Sequence, residues 1–127
     1  MKTAVVIPTN RPARIAGFFE RWSDILNRDD IRTIVVEDFP ERQSALPSWV
    51  EHYCHEDFKA VDPAGDIIPK YSGGVRSFGF WVAGHDPDVD IIITLDDDVL
   101  PIPGHNLIQG HRTALSTPRN LRWWKKL

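Results

Sequence analysis

Asp96-Asp97-Asp98 directly follow the apolar run Ile91-Ile92-Ile93-Thr94-Leu95. Three adjacent carboxylates repel one another unless a cation or solvent neutralises them, so this block is the strongest chemical signal in the chain. If the strand geometry of the apolar run continues through it, side chains alternate: Asp96 and Asp98 point one way and Asp97 the other. Two hard oxygen donors then share one target. That arrangement suits Mg²⁺ or Mn²⁺, bound by one or two carboxylates and completed by the oxygens of a diphosphate. The competing reading is a solvated cluster in which Asp97 or Asp98 caps the following turn.

Three further groups carry chemistry of a matching kind. Glu37-Asp38 close the run Ile34-Val35-Val36, where a carboxylate can accept a hydrogen bond from a nucleobase N–H or a ribose hydroxyl, or simply form a turn. Pro8-Thr9-Asn10-Arg11 stand at a strand-to-helix junction and offer backbone N–H groups, a helix N-terminus and a guanidinium to an anionic or nucleotide ligand. Arg76 sits among apolar residues on a predicted helix and either faces a phosphate or makes a structural ion pair, with Lys70 a second cation just upstream. His52-x-Cys54-His55 resembles a soft-metal cluster but lacks the distant partner of a zinc signature. His105 and His111 follow the aspartates closely enough to reach the same cleft, or else are ordinary surface or core histidines. No residue stands out as a catalytic base. The first strand is followed neither by a glycine-rich dinucleotide fingerprint nor by a Gly-Lys-Ser/Thr loop, which disfavours dinucleotide and P-loop chemistry.

Strands and helices in alternation must position these groups. Thr3 to Pro8 is apolar on both faces, the pattern of a buried parallel strand. Thr9 or Asn10 can cap the next helix, Pro12 suits its first turn, and Ile15, Phe18, Phe19, Trp22, Ile25 and Leu26 recur at helical spacing. Ile31 to Asp38 repeats the strand pattern, which makes a right-handed βαβ unit. Between Phe39 and Pro69 the pattern predicts a short helix over Ser48 to His55 and a short strand over Phe58 to Val61. Asp62 to Asp66 is turn chemistry. Gly73 to Gly84 is predicted as a helix whose glycines permit close packing or close approach of a ligand, Ile91 to Leu95 as the last strand, and Asn106 to Leu115 as a final helix. The expected class is α/β: a Rossmann-like three-layer α/β/α sandwich with a mostly parallel sheet. In such sheets ligands bind beyond the carboxyl ends of the strands, where Pro8 to Arg11, Glu37-Asp38 and Asp96 to Asp98 all fall.

Composition sets the outer limits. A chain of 127 residues with 42% hydrophobic and 26% charged residues is a folded domain rather than a disordered chain, and it is too short for two full domains. Its net charge of −3 is lopsided, because Arg119, Arg122, Lys125 and Lys126 put four positive charges in the last nine residues and leave the body acidic. An acidic body argues against a nucleic-acid-binding face. The basic aromatic tail, residues 119–127 with Trp123-Trp124, either docks on a partner, another copy, a nucleic acid or a membrane surface, or packs on the domain formed by residues 1–118. No aliphatic run approaches the roughly 18–20 residues of a membrane span. The lone Cys54 and an N-terminus without a leader pattern lead us to expect a cytoplasmic protein.

Taken together, Val5-Val6-Ile7-Pro8-Thr9-Asn10-Arg11, Val35-Val36-Glu37-Asp38 and Leu95-Asp96-Asp97-Asp98 resemble the nucleotide-sugar-binding half of GT-A glycosyltransferases, whose DxD motif ends a strand. Gly74-Val75-Arg76-Ser77-Phe78-Gly79-Phe80-Trp81-Val82, the Thr94-Leu95-Asp96-Asp97-Asp98 run and Ser116-Thr117-Pro118 look most like the reversibly glycosylated polypeptides, or UDP-arabinopyranose mutases. The resemblance covers Thr3 to about Pro118 and implies a shortened GT-A-like domain. It further implies that Asp96 and Asp98 hold Mn²⁺ or Mg²⁺ on the diphosphate of a UDP-sugar, with Asp97 or Asp96 also near the ribose. Asp38 and the Pro8 to Arg11 loop would contact uridine, and Arg76 would approach the diphosphate or the sugar. The implied activity is transfer or rearrangement of the glycosyl group. Alternatives are a non-catalytic nucleotide-sugar-binding or assembly module and a nucleotidyltransferase, the latter usually requiring a basic glycine-rich loop that is not found here.

Overall fold

The computed structural model describes residues 1–117, so the basic aromatic tail lies outside the described residues. Four strands form one all-parallel sheet in the order β3-β2-β1-β4: β1 (Lys2–Thr9), β2 (Ile31–Glu37), β3 (Glu51–Tyr53) and β4 (Val89–Thr94). This is an α/β arrangement consistent with a Rossmann-like fold. β1 is central and all but its first residue are buried, as an unbroken apolar run requires. Helices α1 (Pro12–Leu26), α2 (His55–Phe58), α3 (Arg76–Gly84) and α4 (Leu107–Ser116) complete the elements, with a 3₁₀ turn, Gly73–Val75, leading into α3. Among the described residues no helix is long and apolar enough to cross a membrane.

Alternation along the strands sorts the core into two clusters. Val5, Ile7, Val35, Ile91 and Ile93 pack with Ile15, Phe18, Phe19, Trp22 and Leu26 of α1 and with Ile108 of α4. Ala4, Val6, Ile34 and Val36 pack with Phe58 of α2, Ile68, Val75, and Phe78 and Ala83 of α3. Consecutive strand residues thus serve opposite faces of the sheet. Helix α3 rides low: a Cβ added at Gly79 would fall 2.4 Å from Val6 Cγ1 and 3.1 Å from Val36 Cγ2.

Two expectations for local structure are corrected. The helix expected over 48–55 and the strand over 58–61 are replaced by strand β3 and helix α2. Glu51–Tyr53 is extended because it pairs with Ile34–Val36 of β2 and because Glu51 accepts two hydrogen bonds from Arg32. Cys54 then occupies the N-cap position of α2, its backbone N–H donating to Asp57 Oδ2 at 2.8 Å. The α1 cap also differs: Arg11 occupies the N-cap position, and the Thr9 hydroxyl accepts the Arg11 N–H at 3.2 Å. Asn106 does cap α4, accepting from Gln109 N at 3.1 Å.

The loop that leads toward α3 is pinned by one side chain. Asp62, buried, accepts backbone N–H bonds from Gly65, Asp66, Ile67 and Ile68 at 3.0, 3.1, 3.0 and 2.8 Å. These donors, Ile68 foremost, hold its carboxyl below the usual range, and Arg112 does the same for Asp30. The folded chain therefore binds fewer protons than the unfolded one in acid. Stability from these groups is complete above the unfolded value of about 4 and is lost as pH falls through the lower folded values. Melting temperature is expected to be flat from about pH 7 to pH 5 and to fall below about pH 4. Asp62→Ala should melt lower at neutral pH and show a shallower acid fall in circular-dichroism melts, whereas an unchanged acid slope would assign the effect elsewhere.

Candidate functional site

The carboxyl ends of β1, β2 and β4 and the start of α3 enclose a cleft of about 200 Å³. Pro8, Thr9, Asn10, Arg11, Asp38, Arg76, Asp96, Asp97 and Asp98 all line it. Ser72, Gly73 and Val75 complete the wall. The lining carries four carboxylates and two guanidiniums, a formal excess of two negative charges that suits a divalent cation.

The three aspartates divide as strand alternation predicts, although β4 itself ends at Thr94. Asp97 is 5% exposed, whereas the Asp96 and Asp98 side chains are 59% and 51% exposed. Asp97 ties two strand ends together. Its Oδ2 accepts from the Thr9 hydroxyl at 2.8 Å and from Arg11 Nε at 3.3 Å, and its Oδ1 accepts from the Arg11 guanidinium as well. The hydrogen bonds and charge of Asp97 push the Arg11 guanidinium above its already high ordinary value. Asp96 accepts from Arg76 at 2.8 Å, and Asp98 lies 3.8 Å from Arg11.

Glu37 and Asp38 part company because they are consecutive on a strand. Glu37 is fully buried outside the cleft lining and accepts from Gln43 N at 2.8 Å, Ser44 N at 3.3 Å and the Ser44 hydroxyl, with His52 Nε2 at 2.7 Å. Burial alone would raise its carboxyl pKa, but the bonds from Ser44, Gln43 and His52 outweigh burial and hold it below the usual range. Its carboxylate, at the end of β2, is engaged by the loop that follows the strand. Asp38 is buried at the cleft floor, where its Oδ1 accepts from His55 Nε2 at 2.6 Å and from Tyr71 N at 2.7 Å. Tyr71 adopts φ 57°, a left-handed conformation unusual for a tyrosine, which turns the chain toward Ser72 and Gly73.

The remaining candidates lie elsewhere. Lys70 is exposed and absent from the cleft lining. His52 turns to Glu37, His55 to Asp38, and the Cys54 thiol to the Pro40 carbonyl at 3.5 Å, so the three do not converge. His105 and His111 line a separate, mostly apolar groove with Trp22, Val99 and Leu100. Sequence reasoning missed Ser72, and it named His55 only as a member of a soft-metal cluster and not as the partner of Asp38. Ser72 directly precedes the Gly73-Gly74 pair, and that pairing was the available signal; nothing in the spacing of His55 pointed to Asp38.

Asp96 and Asp98, both more than half exposed in the cleft lining, are the two hard oxygen donors that a divalent cation could use there. Among the described residues no group of three or more His, Cys, Asp or Glu side chains is gathered for a metal, so further ligands would have to come from substrate oxygens or water. The cleft is smaller than the roughly 300–1,000 Å³ typical of ligand pockets. Compared with known proteins, the chain matches no family model, no curated protein and no solved structure.

Proposed function

We propose that this chain is a shortened GT-A-like domain, a three-layer α/β/α sandwich, that binds a UDP-sugar with a divalent cation and transfers or rearranges its glycosyl group. One observation carries the reading: Arg11, Arg76, Asp38, Asp96 and Asp98, which come from four separate stretches of sequence, meet in one cleft at the carboxyl end of a parallel sheet. The two apolar clusters, one on each face of that sheet, support the architecture.

Each residue has a defined task on this reading. Asp96 and Asp98 would hold Mn²⁺ or Mg²⁺, and Arg76 and Arg11 would meet the phosphate oxygens with planar, multiply donating groups. Asp38, its Oδ1 fixed by His55 and Tyr71 N, has its second oxygen left to accept a hydrogen bond from the nucleoside. Asp97 keeps Arg11 and the β1 end in place. The cation, when bound, supplies neutralisation of the charge that develops on departing UDP as the sugar–phosphate bond breaks.

Titration of UDP-glucose, UDP-galactose, UDP-arabinose and GDP-mannose, with and without Mn²⁺, tests the reading. The expected result is Mn²⁺-dependent binding of a UDP-sugar, weakened about tenfold or more by Asp98→Ala, the equivalent of about 1.4 kcal/mol. Binding that ignores Mn²⁺, or that survives unchanged in Asp98→Ala, overturns it. The small cleft favours a second reading, a binding module whose remaining wall is supplied by another chain; release of free UDP over time separates a transferase from a passive binder.

A further inference from the structure

We infer that the carboxylates of the cleft are partly neutralised by its own arginines, so that a divalent cation and a nucleoside diphosphate bind as a mutually reinforcing pair through exchange of the Arg76–Asp96 ion pair. The inference rests on the proposed diphosphate reading of the cleft and specifies how its two ligands depend on each other.

The two arginines are held differently. Arg11 is committed to the buried Asp97 through both Nε and its terminal nitrogen, and it only approaches Asp98, at 3.8 Å. Arg76 donates to Asp96 at 2.8 Å through one terminal nitrogen, to Thr94 Oγ1 at 3.2 Å through the other, and to the Gly73 carbonyl through Nε at 3.0 Å. Asp96 is more than half exposed, and ion pairs at such positions contribute little to stability, so this one is cheap to exchange. Asp97, by contrast, stays where it is.

Each ligand alone meets an obstacle. A lone cation competes with Arg76 for Asp96 and then sits beside an uncompensated guanidinium. A lone diphosphate competes with Asp96 for Arg76 and then faces a block of carboxylates. When both are present, Asp96 exchanges Arg76 for the cation and Arg76 exchanges Asp96 for a phosphate oxygen, so neither charge is left unpaired. Linkage makes the effect reciprocal: the factor by which Mn²⁺ raises UDP affinity equals the factor by which UDP raises Mn²⁺ affinity.

The experiment measures Mn²⁺ binding by the electron paramagnetic resonance signal of the free ion and UDP binding by calorimetry, each ligand alone and both together, with EDTA present in the UDP-only arm. Wild type is expected to show coupling of about tenfold or more, equal in both directions. In Arg76→Gln, removal of a positive charge close to the cation should tighten Mn²⁺ binding in the absence of nucleotide about three- to tenfold. UDP alone should bind more weakly to the same variant, and the coupling factor should shrink. Arg76→Lys, which keeps the charge but not the planar fork, should tighten Mn²⁺ binding alone less than Arg76→Gln does. Arg112→Gln, whose ion pair with Asp30 lies at the opposite end of the sheet, should change neither affinity. If Arg76→Gln leaves Mn²⁺ binding unchanged or weaker, or Arg76→Lys tightens it equally, while wild-type UDP binding still requires Mn²⁺, the exchange is wrong and the diphosphate reading stands. If wild-type UDP binding is indifferent to Mn²⁺, both fall.

Discussion

Gly79→Ala is expected to destabilise the fold by about 1–3 kcal/mol, although alanine is the better helix former by about 1 kcal/mol. The added methyl group would lie 2.4 Å from Val6 Cγ1 and 3.1 Å from Val36 Cγ2. Val6 and Val36 are fully buried β-branched residues on adjacent strands, so neither has a free rotamer into which it can retreat. The helix itself must lift. Arg76 begins the same helix, so the shift should also weaken cation-dependent UDP binding by disturbing a 2.8 Å contact with Asp96. Gly17→Ala, in α1, is the matched control, because nothing lies within 4 Å of the added atom. It should be neutral or stabilising by up to about 1 kcal/mol. Urea unfolding of both variants decides the matter, and an unchanged or higher midpoint for Gly79→Ala would show that α3 does not sit on the sheet as tightly as described.

The second large effect belongs to Asp97. Asp97→Ala leaves the buried Thr9 hydroxyl without its acceptor, at a cost of about 1–3 kcal/mol. Arg11, about half exposed, can then turn to water, and the β1 end loses its tie to the segment after β4. Asp97→Asn keeps an acceptor for Thr9 and should cost less. The diagnostic pattern is a contrast among neighbours: Asp97 variants lower the unfolding midpoint, whereas Asp96→Ala and Asp98→Ala leave it near wild type and lose Mn²⁺-dependent binding. Equal stability losses at all three positions would contradict the division of labour.

What could be read in advance follows from where each structural instruction is encoded. The apolar runs of β1, β2 and β4 and the helical spacing of α1 are local patterns, and all four elements are found with ends shifted by no more than a residue or two, although β4 at the sheet edge leaves every second residue, Ile92 among them, exposed. β3 and α2 were misjudged because three and four residues are too few to show a period. The state of β3 comes from a partner strand 17 residues away in sequence and from the Arg32–Glu51 pair, which spans 19. The same limit applies to the cleft. That the aspartates alternate was legible from strand geometry, but which of Glu37 and Asp38 faces the cleft depends on strand phase and on what the next loop offers. Here the Gln43-Ser44 amides and His52 engage Glu37. The burial of Asp97 against Thr9 and Arg11 required knowing that β1 and β4 are neighbours, which the pairing of Val6 with Thr94 supplies.

That pairing also orders events during synthesis. Arg11 and Asp97 are 86 residues apart, and β1 lies between β4 and β2, both partners parallel to it. A nascent chain therefore has its βαβ half available before β4 is made, and until Asp97 is added Arg11 lacks the carboxylate that receives it in the folded domain. The acidic block is thus made after both strands whose ends it meets in the cleft, and a chain stalled before it would hold β1, β2 and β3 without the carboxylates that line that cleft.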